Sequence, residues 1–455
     1  MAHKIADTIV ALASGAGRAA IAVVRISGPR TRAVFEAVCG GAPPPPPRRA
    51  ALRKLCDPRD GALIDRGLVL WFPAPSSFTG EDMAELQVHG SRAVVQSLID
   101  AVLSVGGTRL AEPGEFARRA FENGKLDLTE VEGLADLVQA ETEAQRRQAL
   151  AQSEGSLRRL YEGWRADLLK AQALMEAGLD FADEADVATD VSVQAEASVA
   201  DLLAAIAAHL GDRRGERLRD GVRVVIAGPP NAGKSSLLNA LARRDVAIVS
   251  EEAGTTRDVI EVHLDLGGIP VILSDTAGIR VAKGSVEAAG IGRALARVED
   301  ADIVLWLADA TDPARTAIPR LGALKNDDAQ AKAVEITVMN KLDLAPNASA
   351  ALPEGALAIS AKTGEGLDRL VARLESEAQA AAGQGAGAPL MTRARHRAEL
   401  EAAQAALQRF SDKSLSAELK AEELRIAAHH LGRLTGRIDV EEVLGAIFAE
   451  FCIGK

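Results

Sequence analysis

The sequence predicts a doubly wound α/β unit inserted into an all-α domain and preceded by an α+β block. Three observations predict it. A buried-strand pattern at Val222–Ala227 runs into a glycine-rich turn and then a helical pattern, the opening move of a doubly wound sheet. On both sides of that unit, from about Leu126 to Leu218 and again beyond Ala381, the chain is rich in Ala, Leu, Glu, Gln and Arg, with few breakers. Residues 1–120 instead mix short β-rich runs with turns. The expected domains are therefore 1–120, 121–217, 218–380 and 381–455, with the second and fourth forming one helical domain around the third.

In the first block, Ile21–Ser27 (IAVVRIS) and Gly67–Phe72 (GLVLWF) read as strands. Between them, five prolines from Pro43 to Pro47 predict a stiff exposed loop, because proline fixes φ and lacks a ladder donor. In the second, Val131, Leu134, Leu137 and Val138 recur at helical spacing. A Gly-rich linker, Ala381–Pro389, opens the last block. Domains accept insertions of this kind because their termini lie close together. Two separate helical domains, or a coiled-coil dimer, are the alternatives, although no strict heptad is sustained.

Hydrophobic residues make up 47% of the 455 and charged residues 26%, enough to bury substantial cores. No run of about 18 apolar residues predicts a membrane span. The N-terminus lacks the layout of a signal peptide. Only Cys39, Cys56 and Cys452 are present, without metal-ligand spacing, which predicts a cytoplasmic protein with neither a disulfide framework nor a structural zinc site. The net charge of −11 opposes generic binding of polyanions, so any contact with RNA must be local. Arg213, Arg214, Arg217, Arg219, Arg393, Arg395 and Arg397 are the local candidates; a solvated helix face is the other reading.

Chemistry concentrates between Val222 and Lys362. The turn Gly228-Pro-Pro-Asn-Ala-Gly-Lys-Ser235 between strand and helix has the form of a phosphate loop. Its glycines let backbone N–H groups, with Asn231, Ala232, Gly233 and Ser236 around them, close on phosphates at a helix N-terminus. Lys234 is placed for the β- and γ-phosphates and Ser235 for Mg²⁺. A strand over Ile269–Leu273 leads to Asp275-Thr276-Ala277-Gly278, where Asp275 supports Mg²⁺ through water and the Gly278 N–H senses the γ-phosphate. Thr256, in Gly254-Thr-Thr-Arg-Asp258, is the second hydroxyl for Mg²⁺. A strand over Glu335–Met339 delivers Asn340-Lys341-Leu342-Asp343, and Ser360-Ala361-Lys362 follows. The Asp343 carboxylate pairs with the two N–H donors of guanine, which adenine lacks, and the Ala361 N–H meets the guanine oxygen. Together these motifs predict a P-loop GTPase using GTP rather than ATP.

Ile279 follows Gly278 where many GTPases place a water-orienting glutamine. Another residue must then serve; an acidic residue further along is the natural candidate, and Glu287 fits, with a solvated helix-start residue as the alternative. Charge compensation falls to a monovalent cation beside Asn231, or to Arg257 or Arg280.

The motifs GPPNAGKSS, AGTTRD, DTAGIR, NKLD and SAK, with VRISG, SFTGED, GEFARRAFENGKLDL and the terminal FCIGK, resemble the MnmE (TrmE) family of bacterial tRNA-modifying GTPases over essentially the whole chain. The resemblance implies an N-terminal tetrahydrofolate-binding domain that dimerises, a discontinuous helical domain and an inserted G domain. It implies work with the flavoprotein MnmG (GidA), in a heterotetramer or larger complex, on C5 of the wobble uridine of certain tRNAs. The group installed is carboxymethylaminomethyl or aminomethyl, and the one-carbon donor is a tetrahydrofolate derivative (5,10-methylene, with 5-formyl as a ligand form). Folate contacts fall on Arg25, Glu85, Lys125 and Lys455. K⁺ ligation falls on Asn231 and on Ser250 to Thr255, a stretch containing Glu252, with hydrolysis activated by pairing of G domains. The family's catalytic glutamate falls on Glu287, and its C-terminal cysteine on Cys452, either a small buried residue or a thiol that assists modification. The five prolines and the alanines in AGRAAIAVVRISG depart from the family pattern without touching these positions. An RNA-binding GTPase switch in ribosome assembly is the competing reading, disfavoured by the lack of an appended RNA-binding module.

Overall fold

A computed structural model describes residues 7–180, 185–244, 246–248, 261–275, 300–311, 333–345, 353, 355–383 and 390–438, with Leu444, Ile447, Phe448, Phe451 and Gly454. The chain divides into two compact units, one of residues 1–135, 161–165 and 428–455, the other of 136–160 and 166–427.

The first unit is built on a six-stranded sheet in the order β3-β4-β5-β2-β1-β6. Its strands are β1 (Thr8–Leu12), β2 (Ala19–Ser27), β3 (Ala51–Cys56), β4 (Leu63–Phe72), β5 (Met83–Gly90) and β6 (Thr108–Leu110). All pair antiparallel except β1 with β6. Alternation sets the faces. Ala22, Val24 and Ile26 of β2 are buried with Val69 and Trp71 of β4 and Leu86 and Val88 of β5. Helices Thr31–Val38 and Arg92–Leu103 supply Val34, Phe35, Leu98 and Val102 to the same core. Phe35 meets Trp71 edge-on at 6.3 Å. Arg25 and Glu85 therefore share the opposite face, as direct cross-strand partners. The prolines form a loop as expected, although Pro45 is buried.

In the second unit the sheet order is β12-β11-β10-β7-β9-β8, from β7 (Val222–Ala227), β8 (Glu261–Leu266), β9 (Ile269–Asp275), β10 (Ile303–Asp309), β11 (Val334–Asn340) and β12 (Leu357–Ala358). Every pair is parallel except β8 with β9. The central strands are apolar almost throughout, as burial on two faces demands; six of the seven residues of β10 are buried. Around this sheet lie Lys234–Ala242 and Leu367–Ala382. The helices Glu143–Ser153 and Arg214–Asp220 before the sheet and Ala394–Phe410 after it belong to the same unit. Arg397 forks onto Glu216 at 2.9 and 2.8 Å, and Arg393 reaches Asp136 at 2.8 Å. Among the described residues one stretch, Val193–Asp220, is long and apolar enough by composition to cross a membrane. Its Ala195, Val199, Leu202 and Ile206 are buried within the folded chain.

A buried ionic network fastens the first unit. Arg119, fully buried, donates to Glu115 Oε1 at 2.9 Å, to Glu81 at 3.0 and 3.2 Å and to the Asp7 carbonyl at 2.9 Å. Burial raises the Glu115 pKa, but bonds from Arg109, the Glu112 N–H and Arg119 outweigh it and bring the carboxyl down to about 2. Because the folded pKa is depressed, the stabilisation is full above the ordinary value of 4.5 and is lost as pH falls towards 2. Glu115→Gln is expected to cost the first unit about 3 kcal/mol at pH 7. The cost should shrink between pH 5 and pH 3, read from amide protection factors of β1 and β2. A cost independent of pH would contradict this assignment.

Candidate functional site

The parallel strands of the second sheet deliver their C-terminal ends to one edge, where doubly wound folds bind ligands. β7 ends in the phosphate loop. Gly228 (φ 147°) packs against the Leu307 carbonyl of β10, where a side chain has no room. Asn231 (φ 64°) and Gly233 (φ 97°) also adopt left-handed backbone, and Gly233 abuts the Asn340 amide. The helix Lys234–Ala242 starts immediately after, so its free N–H groups face the loop. Lys234, 8% exposed, donates from Nζ to the carbonyls of Gly228 at 2.9 Å and Pro229 at 3.0 Å. Burial pushes its pKa down, with the Asp275 carboxylate acting the other way. An ammonium so placed gains from an anion seated in the loop. Ser235 Oγ donates to Asp275 Oδ2 at 2.7 Å, bringing together the hydroxyl and carboxylate expected at the cation.

The Asn340–Asp343 and Ser360–Lys362 motifs converge on the same edge. Asn340, 3% exposed, donates from Nδ2 to the Ala232 carbonyl at 2.8 Å and accepts at Oδ1 from the Ala361 N–H at 3.0 Å. Ser360 Oγ donates to Asp343 Oδ1 at 2.7 Å and accepts from the Thr363 N–H at 3.2 Å, which fixes the orientation of the carboxylate. Lys341, at φ 69°, donates to Asp309 Oδ2 at 2.6 Å. Ser236 and Lys362 are exposed beside these loops.

In the first unit, Arg25 donates from Nε and Nη2 to the same oxygen, Glu85 Oε1, at 3.0 and 2.9 Å. Its Nη1 reaches the Gly454 carbonyl at 3.4 Å, one residue before Lys455. The guanidinium lies 5.9 Å from the Phe78 ring and 5.7 Å from Phe116. Lys125 donates to the Pro75 carbonyl at 3.0 Å.

A family profile described as the MnmE helical domain matches residues 128–452, and one described as the GTP-binding protein TrmE N-terminus matches residues 8–125. The tRNA modification GTPase MnmE of Parvibaculum lavamentivorans is 52% identical over 99% of this chain and 100% of its own length. That of Paramagnetospirillum magneticum is 53% identical over 99% and 100%. The human mitochondrial 5-taurinomethyluridine-[tRNA] synthase subunit GTPB3 is 50% identical over 98% and 93%. This chain belongs to the MnmE family. It is a GTP hydrolase acting in tRNA modification, and the second sheet is its P-loop GTPase core.

Asn231, Ala232, Gly233, Lys234, Ser235, Asp275, Asn340, Asp343, Ser360 and Ala361 meet at one sheet edge. Ser250, Glu252, Thr255, Thr256, Thr276, Ala277, Gly278, Glu287, Cys452 and Lys455 lie outside the described residues, as do Arg257, Ile279 and Arg280. Neither reading of the arginine cluster describes all its members. Arg217 bonds Asp302, Arg219 and Arg393 share Asp136, Arg214 pairs with Asp212 and Arg397 with Glu216. Asp309, which no motif in the sequence singles out, ends β10 at the same edge and accepts from Lys341.

Asn340→Ala removes two bonds and orphans a buried carbonyl. It is expected to weaken binding of fluorescent GDP by about 10- to 100-fold. Affinity equal to wild type would show that the amide does not hold the site together.

Proposed function

We propose that this chain hydrolyses GTP to drive, with the flavoprotein MnmG (GidA), addition of a carboxymethylaminomethyl or aminomethyl group to C5 of the wobble uridine of certain tRNAs. It acts in the cytoplasm as a homodimer, its G domains pairing across their nucleotide sites. The observation that carries this reading is the full-length relationship to tRNA modification GTPases, combined with an intact nucleotide edge. That relationship favours it over a ribosome-assembly switch.

The donor set suits the nucleotide and its cation. Lys234 and the loop N–H groups bind the β- and γ-phosphates, and Asp343 pairs with guanine while the Ala361 N–H meets its oxygen. Ser235 and Thr256 are the hydroxyls for Mg²⁺, with Asp275 acting through water; oxygen donors are what this cation takes. When bound, Mg²⁺ neutralises charge on the phosphate oxygens. Asn231, Ser250, Glu252 and Thr255 would hold K⁺, which would supply the charge compensation that an arginine finger gives elsewhere. Glu287 orients the attacking water, the role that Ile279 lacks the chemistry to perform.

In the first unit, both bonds from Arg25 land on one oxygen of Glu85, which supports assigning this carboxylate to the N–H donors of a pterin. Lys125 and Lys455 supply cations for a glutamate tail. This suits a tetrahydrofolate derivative, 5,10-methylene or 5-formyl, as one-carbon donor or ligand. Cys452 is the thiol assigned to assist modification.

GTP turnover should be at least about tenfold faster in K⁺ than in Na⁺; equal rates would overturn the cation assignment. Glu287→Ala should lower kcat by about 100-fold or more while GDP affinity holds. In a strain lacking the gene, nucleoside analysis should show unmodified wobble uridine, restored by the wild-type chain and not by Glu287→Ala. Restoration by that variant at full level would separate hydrolysis from modification.

A further inference from the structure

From the end of β10, we infer that Asp309 is a positioning residue of the guanine site, acting by holding the Lys341 ammonium. The inference rests on the reading that Asn340–Asp343 receives the base.

The geometry divides the work of one carboxylate between its two oxygens. Oδ1 accepts from the Thr311 N–H at 2.9 Å and from Thr311 Oγ at 2.6 Å, which fixes the rotation of the side chain. Oδ2 is left to accept from Lys341 Nζ at 2.6 Å. Burial alone raises the Asp309 pKa, but the bonds from Lys341 and Thr311 overcome it and hold the group below its ordinary value, ionised at neutral pH. Backbone register makes the arrangement rigid. Asp309 and Asn340 are direct partners in the parallel β10–β11 pair, and the Ala310 N–H donates to the Asn340 carbonyl at 2.9 Å. The carboxylate is thus anchored to the strand end from which Lys341 departs.

Lys341 needs such a tether. It sits in left-handed backbone at φ 69°, immediately before the turn Leu342–Leu344, and its side chain is 30% exposed. A free lysine side chain samples many rotamers, and ordering them when a ligand arrives costs affinity. Asp309 orders the chain beforehand. An ion pair this exposed adds little to stability, so its main effect falls on the ligand rather than on the fold.

The test is a double-mutant cycle on fluorescent GDP affinity and on GTPase KM and kcat, using the full chain. Asp309→Asn should weaken GDP binding about three- to tenfold, the cost of ordering one lysine side chain when the ligand arrives. It should raise KM in step and leave kcat at saturating GTP within about twofold, as removal of uniform binding requires. In a Lys341→Ala background the same change should alter affinity by less than about twofold, since its effect runs through the lysine. Effects that add, or wild-type affinity in Asp309→Asn, would overturn the inference. Asp343→Asn is the separate control on the base site. If it keeps full guanine affinity, the base-site reading falls and the inference with it. If it loses that affinity while Asp309 and Lys341 act independently, the inference alone falls.

Discussion

The Asn340 side chain donates to the Ala232 carbonyl and accepts from the Ala361 N–H, so one buried amide joins the phosphate loop to the loop that carries Ser360. Most of the nucleotide edge depends on that junction. The phosphate loop is stretched over left-handed backbone at Asn231 and Gly233, conformations that persist only where surroundings hold them. The Ser360 loop comes from the edge of the sheet, beyond a strand only two residues long. Asn340 bonds to both segments. The amide couples them, because an unmatched amide buried this deeply is costly and each of its atoms has one partner in place.

At the other end of the same sheet a second set of polar contacts ties the GTPase core to its helical surroundings. Asp302, just before β10, accepts from Arg217 at 2.7 Å and from the Arg223 N–H at 3.0 Å. Arg217 also donates to the Ala381 carbonyl at 3.0 Å. One arginine thus gathers the entry to the sheet, a central strand and the exit from its last helix. The turn between β8 and β9 is held as well, by the Ala144 N–H on the Gly268 carbonyl at 3.2 Å. β9 therefore runs from a turn fixed on the helix Glu143–Ser153 to Asp275, which accepts from Ser235. One strand thus connects the helix contact at Gly268 to the Ser235–Asp275 bond.

Much of this was legible because local chemistry dictates it. Val222–Ala227 has the same bounds in sequence and structure, since a strand buried on two faces is apolar throughout and the glycine after it ends the pattern. The strand read over Ile269–Leu273 extends to Asp275, because the polar pair Ser274-Asp275 hides a ladder that depends on backbone alone. Arg25 and Glu85 were out of reach of the residues themselves. They are 60 positions apart and meet only through the β2–β5 register, so resemblance alone singled them out. The ion pairs of the arginines were out of reach for a related reason. Arg397 and Glu216 are 181 positions apart, and a charge periodic on a helix looks solvated until its partner is known. Asp309 carries no motif of its own; its significance comes from lying beside Asn340 in the sheet.

If one amide couples the two halves of the site, hydrogen exchange with and without GDP measures that coupling directly. In the wild-type chain GDP should slow exchange together in residues 228–236 and 340–363. In Asn340→Ala, at a GDP concentration that still fills the site, protection should persist in the first segment and fall away in the second. Protection of both segments in that variant, to the wild-type extent, would contradict the account.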